Sequence, residues 1–267
     1  MRKNLVVAVA GDTSLHREWT RGDRTFDLHV VYYGDVEGKF AKDGEFYSNG
    51  KGTKFNVVAS LERGFYEGYE HIFVPDDDLY MTSDQIDHLF QLADLYSLEL
   101  CQPSLVGYYS LPITLHVPET ILRFTNYVEI MSPCFSQQAF QKCFHTFDHN
   151  KSCWGIDMLW NHVLGNPEDK IAIVDDVVAT HTRPCFKGDN YTNNNVENPI
   201  NDVRAIVKEF SLSWDKVVYK KIEKEFDENT PHTERFHPPV PPNWLSFRTP
   251  FGTKLLASRS SGHLRLV

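Results

Sequence analysis

Over the first two-thirds of the chain, apolar runs of strand length alternate with apolar positions at helical spacing. That alternation predicts a parallel sheet covered by helices. Residues 4–10 (NLVVAVA) form a continuous apolar run that stops at Gly11-Asp12, and Phe26 to Tyr33 (FDLHVVYY) form a second, closed by Gly34-Asp35. Phe55, Val58, Leu61 and Phe65 then recur at helical spacing, and His71-Ile72-Phe73-Val74 reads as a strand ending in Pro75 and three aspartates. Ile86, Leu89, Phe90 and Ala93 mark an amphipathic helix, with Thr82 and Gln85 spaced as a capping box. Farther on, Tyr127 to Met131 (YVEIM) reads as a short strand. Ser136 is the N-cap of a helix carrying Phe140, Cys143, Phe144 and Phe147. A helix near Trp154 places Ile156, Leu159, Trp160 and Val163 on one face, and Lys170 to Val178 (KIAIVDDVV) is a strand leading into Ala179-Thr180-His181. Residues 187–199 are polar and Asn-rich, as a loop would be, and Val203, Ile206, Val207 and Phe210 predict one more helix. From Asp227 onward prolines accumulate and the chain ends in a basic, Ser-rich tail, which reads as an extended appendage.

In a parallel sheet flanked by helices, ligands gather at the carboxyl ends of the strands. Gly11-Asp12, Gly34-Asp35 and Asp76-Asp77-Asp78 all fall at such ends, which groups them before any chemistry is considered.

Composition narrows the functional classes. The chain has 267 residues, 41% of them hydrophobic, enough for one sizeable core. Lys plus Arg number 27 against 36 Asp plus Glu, a formal net charge of -9, and no basic stripe is present. Duplex nucleic acid is therefore a poor partner, because phosphate neutralisation needs clustered cations. An anionic nucleotide remains possible with a divalent ion between the like charges. The five cysteines lack metal-type pairing and suit reduced thiols in a cytoplasmic protein. The apolar start reads as a first strand rather than a signal peptide, and no run approaches the ~18 to 20 apolar residues that cross a bilayer. The basic tail could still touch anionic lipid.

Val74-Pro75-Asp76-Asp77-Asp78-Leu79 carries the strongest chemical signal. Three adjacent carboxylates repel one another, and a bound Mn²⁺ or Mg²⁺ would relieve that repulsion while reaching phosphate oxygens. The plainer alternative is a solvated turn that caps the next helix. Such an ion wants another ligand, for which His181, just after a late strand, is a candidate among 12 histidines. Asp157, in Trp154-Gly155-Ile156-Asp157, is either a first-turn helix acid or a general base for an acceptor hydroxyl. Trp154 supplies an aromatic face on which a sugar ring can stack. Lys54, after Gly50-Lys51-Gly52-Thr53, is either a surface lysine or a diphosphate contact near a helix N-terminus.

From about residue 66 to 184 the chain resembles nucleotide-sugar glycosyltransferases of the GT-A fold. The resemblance rests on Asp76-Asp77-Asp78 as a D-x-D-type motif, the W-G-x-D segment Trp154 to Asp157, and His181 after a strand. It also resembles a large uncharacterised family grouped with such enzymes, through Gln102-Pro103-Ser104-Leu105 and Val128 to Ser136. The resemblance implies a Rossmann-like, mostly parallel central sheet and a catalytic domain over residues 1–186. Residues 1–80 would be its nucleotide-binding half and 81–186 its acceptor half, with 187–267 as a loop, helix and Pro-rich appendage. It further implies that Asp76, Asp78 and His181 hold the metal and that Gly11, Asp12, Lys54, Asp76 and Asp77 meet the donor. Glu129 and Trp154 would meet a glycan acceptor, and Asp157 would act as the base of an inverting transfer from a UDP-sugar. Nucleotidyl transfer and a non-enzymatic carbohydrate-binding module are the rival readings.

Overall fold

β1 (Asn4–Ala10) is buried at all seven positions. Its side chains divide by parity: Val6, Ala8 and Ala10 enter one apolar cluster, and Leu5, Val7 and Val9 enter another. A strand with no solvent face needs cover on both sides, and the two clusters show what supplies it. α2 (Ser83–Leu95) packs into the first, through Ile86, Leu89 and Phe90. The second receives α1 (Lys54–Ser60), α3 (Gln137–Cys143), α4 (Ile156–Val163) and α5 (Pro199–Glu209). Phe55, Phe135, Phe147 and Trp160 lock these helices to the sheet, with ring centroids 4.7 Å apart for Phe55–Phe147 and 5.0 Å for Phe135–Trp160. This is the computed structural model of the chain, and it describes residues 2–185, 196 and 198–225, with the backbone of 246–248, 254–260 and 263–266.

The remaining strands of the main sheet are β2 (Phe26–Tyr32), β3 (Phe46–Asn49), β4 (His71–Phe73), β5 (Leu79–Tyr80), β6 (Leu100–Gly107), β7 (Thr120–Thr125), β8 (Cys134–Ser136), β9 (Ile171–His181) and β10 (Val218–Glu223). Their order is β10-β7-β9-β6-β8-β4-β1-β2-β3, and β5 pairs with β9 off that path. The pairings make β3, β2, β1, β4, β6, β9 and β10 run one way and β5, β7 and β8 the other. The central sheet is therefore mostly parallel, as expected. β11 (Ser246–Arg248), β12 (Lys254–Ser260) and β13 (His263–Leu266) form a separate antiparallel sheet. Most of the expected 187–199 loop and the proline-rich stretch 226–245 lie outside the described residues.

Two expected elements differ. The helix through Phe55 and Val58 stops at Ser60, and Phe65 lies instead in a 3-10 turn over Arg63–Tyr66. Tyr127 to Met131 is not a strand, because its amides are claimed by side chains. Thr125 Oγ1 takes the Tyr127 N–H at 2.7 Å, Gln102 Oε1 takes that of Glu129 at 2.6 Å, and Asp157 Oδ2 takes that of Ile130 at 3.2 Å. With those donors satisfied, this apolar stretch needs no ladder.

Candidate active site

The acidic triplet is fixed through its backbone. Asp76 donates its N–H to Met131 O at 2.7 Å, Asp77 O accepts from Leu15 N at 2.7 Å, and Asp78 O accepts from Thr182 N at 3.2 Å. Each carboxylate then meets a different positive or N–H group. Asp76 pairs with Lys54 at 2.5 Å. Asp77 accepts the Gly11 N–H at 2.7 Å and lies 3.3 Å from Arg183. Asp78 lies 3.3 Å from His181 Nε2. The mutual repulsion that seemed to require an ion is thus largely met within the protein.

The Asp78–His181 contact follows from strand register. β5 pairs antiparallel with β9 so that Leu79 faces His181, which sets the preceding aspartate beside the imidazole. Because a carbonyl can only accept, His181 Nδ1 donates to Tyr108 O at 2.9 Å, leaving Nε2 turned toward Asp78. Burial pushes the His181 pKa down, but the Asp78 charge and hydrogen bond raise it well above its ordinary value. Burial likewise works to raise Asp78, yet His181 holds it below the usual carboxylate range. For Asp77, burial followed by the Asp78 charge outweighs Arg183 and the Gly11 N–H and lifts it to about 6.

These residues pass part of a test for a divalent cation. Asp78 Oδ1 is buried and has no hydrogen-bond partner, and His181 presents an oriented ring nitrogen beside it. Orientation of a ligand histidine by a carbonyl is the usual outer-shell arrangement at metal sites. Asp76 is turned to Lys54, and among the described residues no group of three or more His, Cys, Asp or Glu side chains is arranged to hold a metal. The protein offers two ligands, so a bound ion would need its other oxygens from ligand or water.

Lys54 has an internal role. Its ammonium also donates to Val74 O at 3.1 Å, Ile130 O at 2.5 Å and Met131 O at 3.1 Å. Four oxygens saturate its three hydrogens, so Lys54 organises the strand ends and Asp76. Gly11 lies behind Tyr33, where a Cβ would stand 2.2 Å from the tyrosine hydroxyl. Asp12 is exposed, accepting from Tyr32 and Lys39.

A second group of residues forms around Asp157. Gly155 precedes α4 with φ 86°, and a Cβ there would lie 2.9 Å from Val203 Cα on α5. Glycine alone satisfies both conditions. The turn aims Asp157 inward, where Oδ2 accepts from the Tyr127 hydroxyl at 2.7 Å and from Ile130 N. Burial raises the Asp157 pKa, opposed by the Tyr127 hydrogen bond. Glu129 accepts from the Ser110 hydroxyl through Oε1, while Oε2 is buried with no partner. Burial, then the Asp157 charge, lifts Glu129 to about 8.

One cavity of about 830 Å³ joins the two groups, a size suited to a ligand of several rings. Asp12, Lys54, Asp76, Asp77, Asp78, Glu129, Trp154, Asp157 and His181 all line it. Of the expected site residues only Gly11 does not. Arg183, Tyr127, Ser110, Trp214 and Lys216 also contribute and were not anticipated. Arg183 carried a signal in its closeness to His181. Trp214 and Lys216 carried none, because nothing in the sequence ties residues beyond 186 to this cleft.

Sheet order, strand directions and a cleft at the carboxyl ends define a GT-A type, Rossmann-like α/β fold. Among solved structures it is similar to S. aureus TarS 1-349 in complex with UDP-GlcNAc, at 11% identity and a TM-score of 0.50, over 79% of this chain and 66% of that one. Another likeness is to a Desulfovibrio desulfuricans G20 protein classed provisionally as a nucleotide-diphospho-sugar transferase, at 11% identity and a TM-score of 0.42, over 79% of this chain and 99% of that one. This chain thus spans just under two-thirds of the TarS 1-349 chain. A family model described as "Protein of unknown function (DUF707)" matches residues 118–228, which include Glu129, Asp157, His181 and Lys216 but not the acidic triplet. No curated protein matches the sequence. No described helix is long and apolar enough to cross a membrane.

Proposed function

We propose that this protein is a glycosyltransferase that moves a sugar from a nucleoside-diphosphate donor, a UDP-sugar, to a hydroxyl of a glycan acceptor with inversion at the anomeric carbon. The observation that carries the reading is the single cleft that joins Asp78 and His181, facing each other at the strand ends, to the buried carboxylate of Asp157. The UDP-GlcNAc complex of TarS supports the choice of donor class through the shared fold.

Asp78 and His181 would hold Mn²⁺ or Mg²⁺, which would offset charge on the departing diphosphate. Arg183, beside Asp77 and Thr13, adds a cation at the same end of the cleft. Asp76 and Asp77 would border the donor beside Asp12, with Gly11 behind the cleft wall, where its N–H holds Asp77. At the other end, Trp154 and Glu129 would position the acceptor sugar. Asp157 would accept the proton of the attacking hydroxyl as the new bond to the anomeric carbon forms and the bond to the diphosphate oxygen breaks. Tyr127 and the Ile130 amide fix the carboxylate's direction in advance of the reaction.

Asp157→Asn keeps the side chain's size and removes its basicity. UDP release from a panel of UDP-sugars with glycan acceptors and Mn²⁺ is expected to fall by about 10²-fold or more, with UDP affinity unchanged. Unaltered turnover removes Asp157 from this role. Nucleotide binding without any UDP release from the wild type favours a binding module instead.

A further inference from the structure

The end of the cleft that holds Asp157 has an unusual cation. Lys216 is half-buried and lines the cavity. Its ammonium stands 4.5 Å above the Tyr127 ring, whose hydroxyl bonds Asp157. An ammonium carries three donors, but among the described residues the one oxygen it bonds is Trp214 O at 3.3 Å, with Met158 Sδ at 2.8 Å as a weak second acceptor. No carboxylate among the described residues lies within ion-pair distance of it. Lys54, in the same cavity, shows the contrast: four oxygens surround its ammonium, one of them the Asp76 carboxylate. Asp157 and Asp215 are near enough to favour the Lys216 charge, yet neither carboxylate bonds it directly.

The surroundings are apolar. Trp214, 53% exposed, stands two residues away, and Met158, Ile200, Val203 and Trp154 complete this part of the wall. A flat indole beside an under-coordinated ammonium complements a sugar ring bearing an anionic group, since the ring stacks and the anion supplies the missing acceptors. Burial holds the Lys216 pKa below its ordinary value, opposed in part by the Asp157 and Asp215 charges.

We propose that Lys216 and Trp214 form an acceptor subsite that recognises a sugar carrying a carboxylate or a phosphate. This rests on the reading of Asp157 as the acceptor end of the cleft, and it specifies what that end selects. Neutral acceptors would leave the ammonium short of partners, at the desolvation cost of an unsatisfied charged donor.

Calorimetric titration of the free full chain with glucuronate, glucose 6-phosphate and glucose tests this without nucleotide. For the wild type, at least one anionic sugar is expected to bind about tenfold or more tightly than glucose, and the anionic sugar that does so identifies the group read. Lys216→Met is expected to erase the difference, Lys216→Arg to retain it, and Trp214→Ala to weaken all sugars that bind alike. Equal affinities in the wild type, a preference that survives in Lys216→Met, or no anionic binding at concentrations on the order of 10 mM overturns the proposal. A separate titration with UDP and Mn²⁺ keeps the two readings apart, because failure there removes the transferase reading and leaves the sugar result standing.

Discussion

Glu129 shows what a single residue can report about this cleft. Burial, reinforced by the nearby Asp157 charge, lifts its carboxyl from an ordinary 4.5 to about 8. Below about pH 4.5 the folded and unfolded forms are both protonated. Between there and about pH 8 the unfolded chain gives up the proton while the folded protein keeps it, so stability falls by up to about 1.4 kcal/mol per pH unit. Glu129→Gln cannot titrate and loses that slope. As pH rises from about 5 to about 8, the wild-type Tm is expected to drop relative to that of Glu129→Gln in scanning calorimetry. Parallel curves would show that Glu129 is not held neutral. Asp77, lifted to about 6, adds a gentler slope at lower pH that both proteins share. At this scale the sequence was informative where residue type alone narrows the chemistry, as for Asp157 in the first turn of a helix or His181 at the end of a strand. It read Lys54 as a surface lysine or a diphosphate contact and could not show its internal bonds, because saturation by three carbonyls and a carboxylate is a property of tertiary approach.

Elements were legible where local chemistry decides them. Thr82 and Gln85 form the capping box their spacing predicts, Thr82 Oγ1 accepting from Gln85 N at 3.3 Å and Gln85 Oε1 from Thr82 N at 2.9 Å. Thr82→Ala is expected to lower stability by about 1 kcal/mol, read as a shift in denaturant midpoint at unchanged slope. α2 covers the sheet face away from α4 and Asp157, so the proposed sugar transfer should persist in that variant, and its loss at full folding would contradict this placement. Ser136 likewise caps α3, accepting from Ala139 N at 3.2 Å. Residues 127–131 misled because their apolar pattern suits a strand, whereas distant side chains (Gln102 and Asp157) take the amides. The short pairing of β5 with β9 was equally hidden. Two residues of ladder leave no periodic trace, yet they bring Asp78 to His181.

For the molecule as a whole, the alternation of apolar runs and helical spacings was enough to foresee a mostly parallel sheet between helices. It could not show that β10 joins that sheet through β7, or that the segment before it delivers Trp214 and Lys216 to the cleft. The cleft is assembled from the first strand end to residue 216, a span no local pattern covers. Because each aspartate of the triplet already has a partner, the case for a bridging ion narrows to Asp78 and His181. UDP binding measured by isothermal titration, with and without Mn²⁺, tests that pair directly in wild type and His181→Ala. The expected result is a gain of about tenfold or more in UDP affinity with Mn²⁺ in the wild type, lost in a folded His181→Ala. Equal UDP affinity with and without the ion, or a gain that survives the substitution, would contradict it.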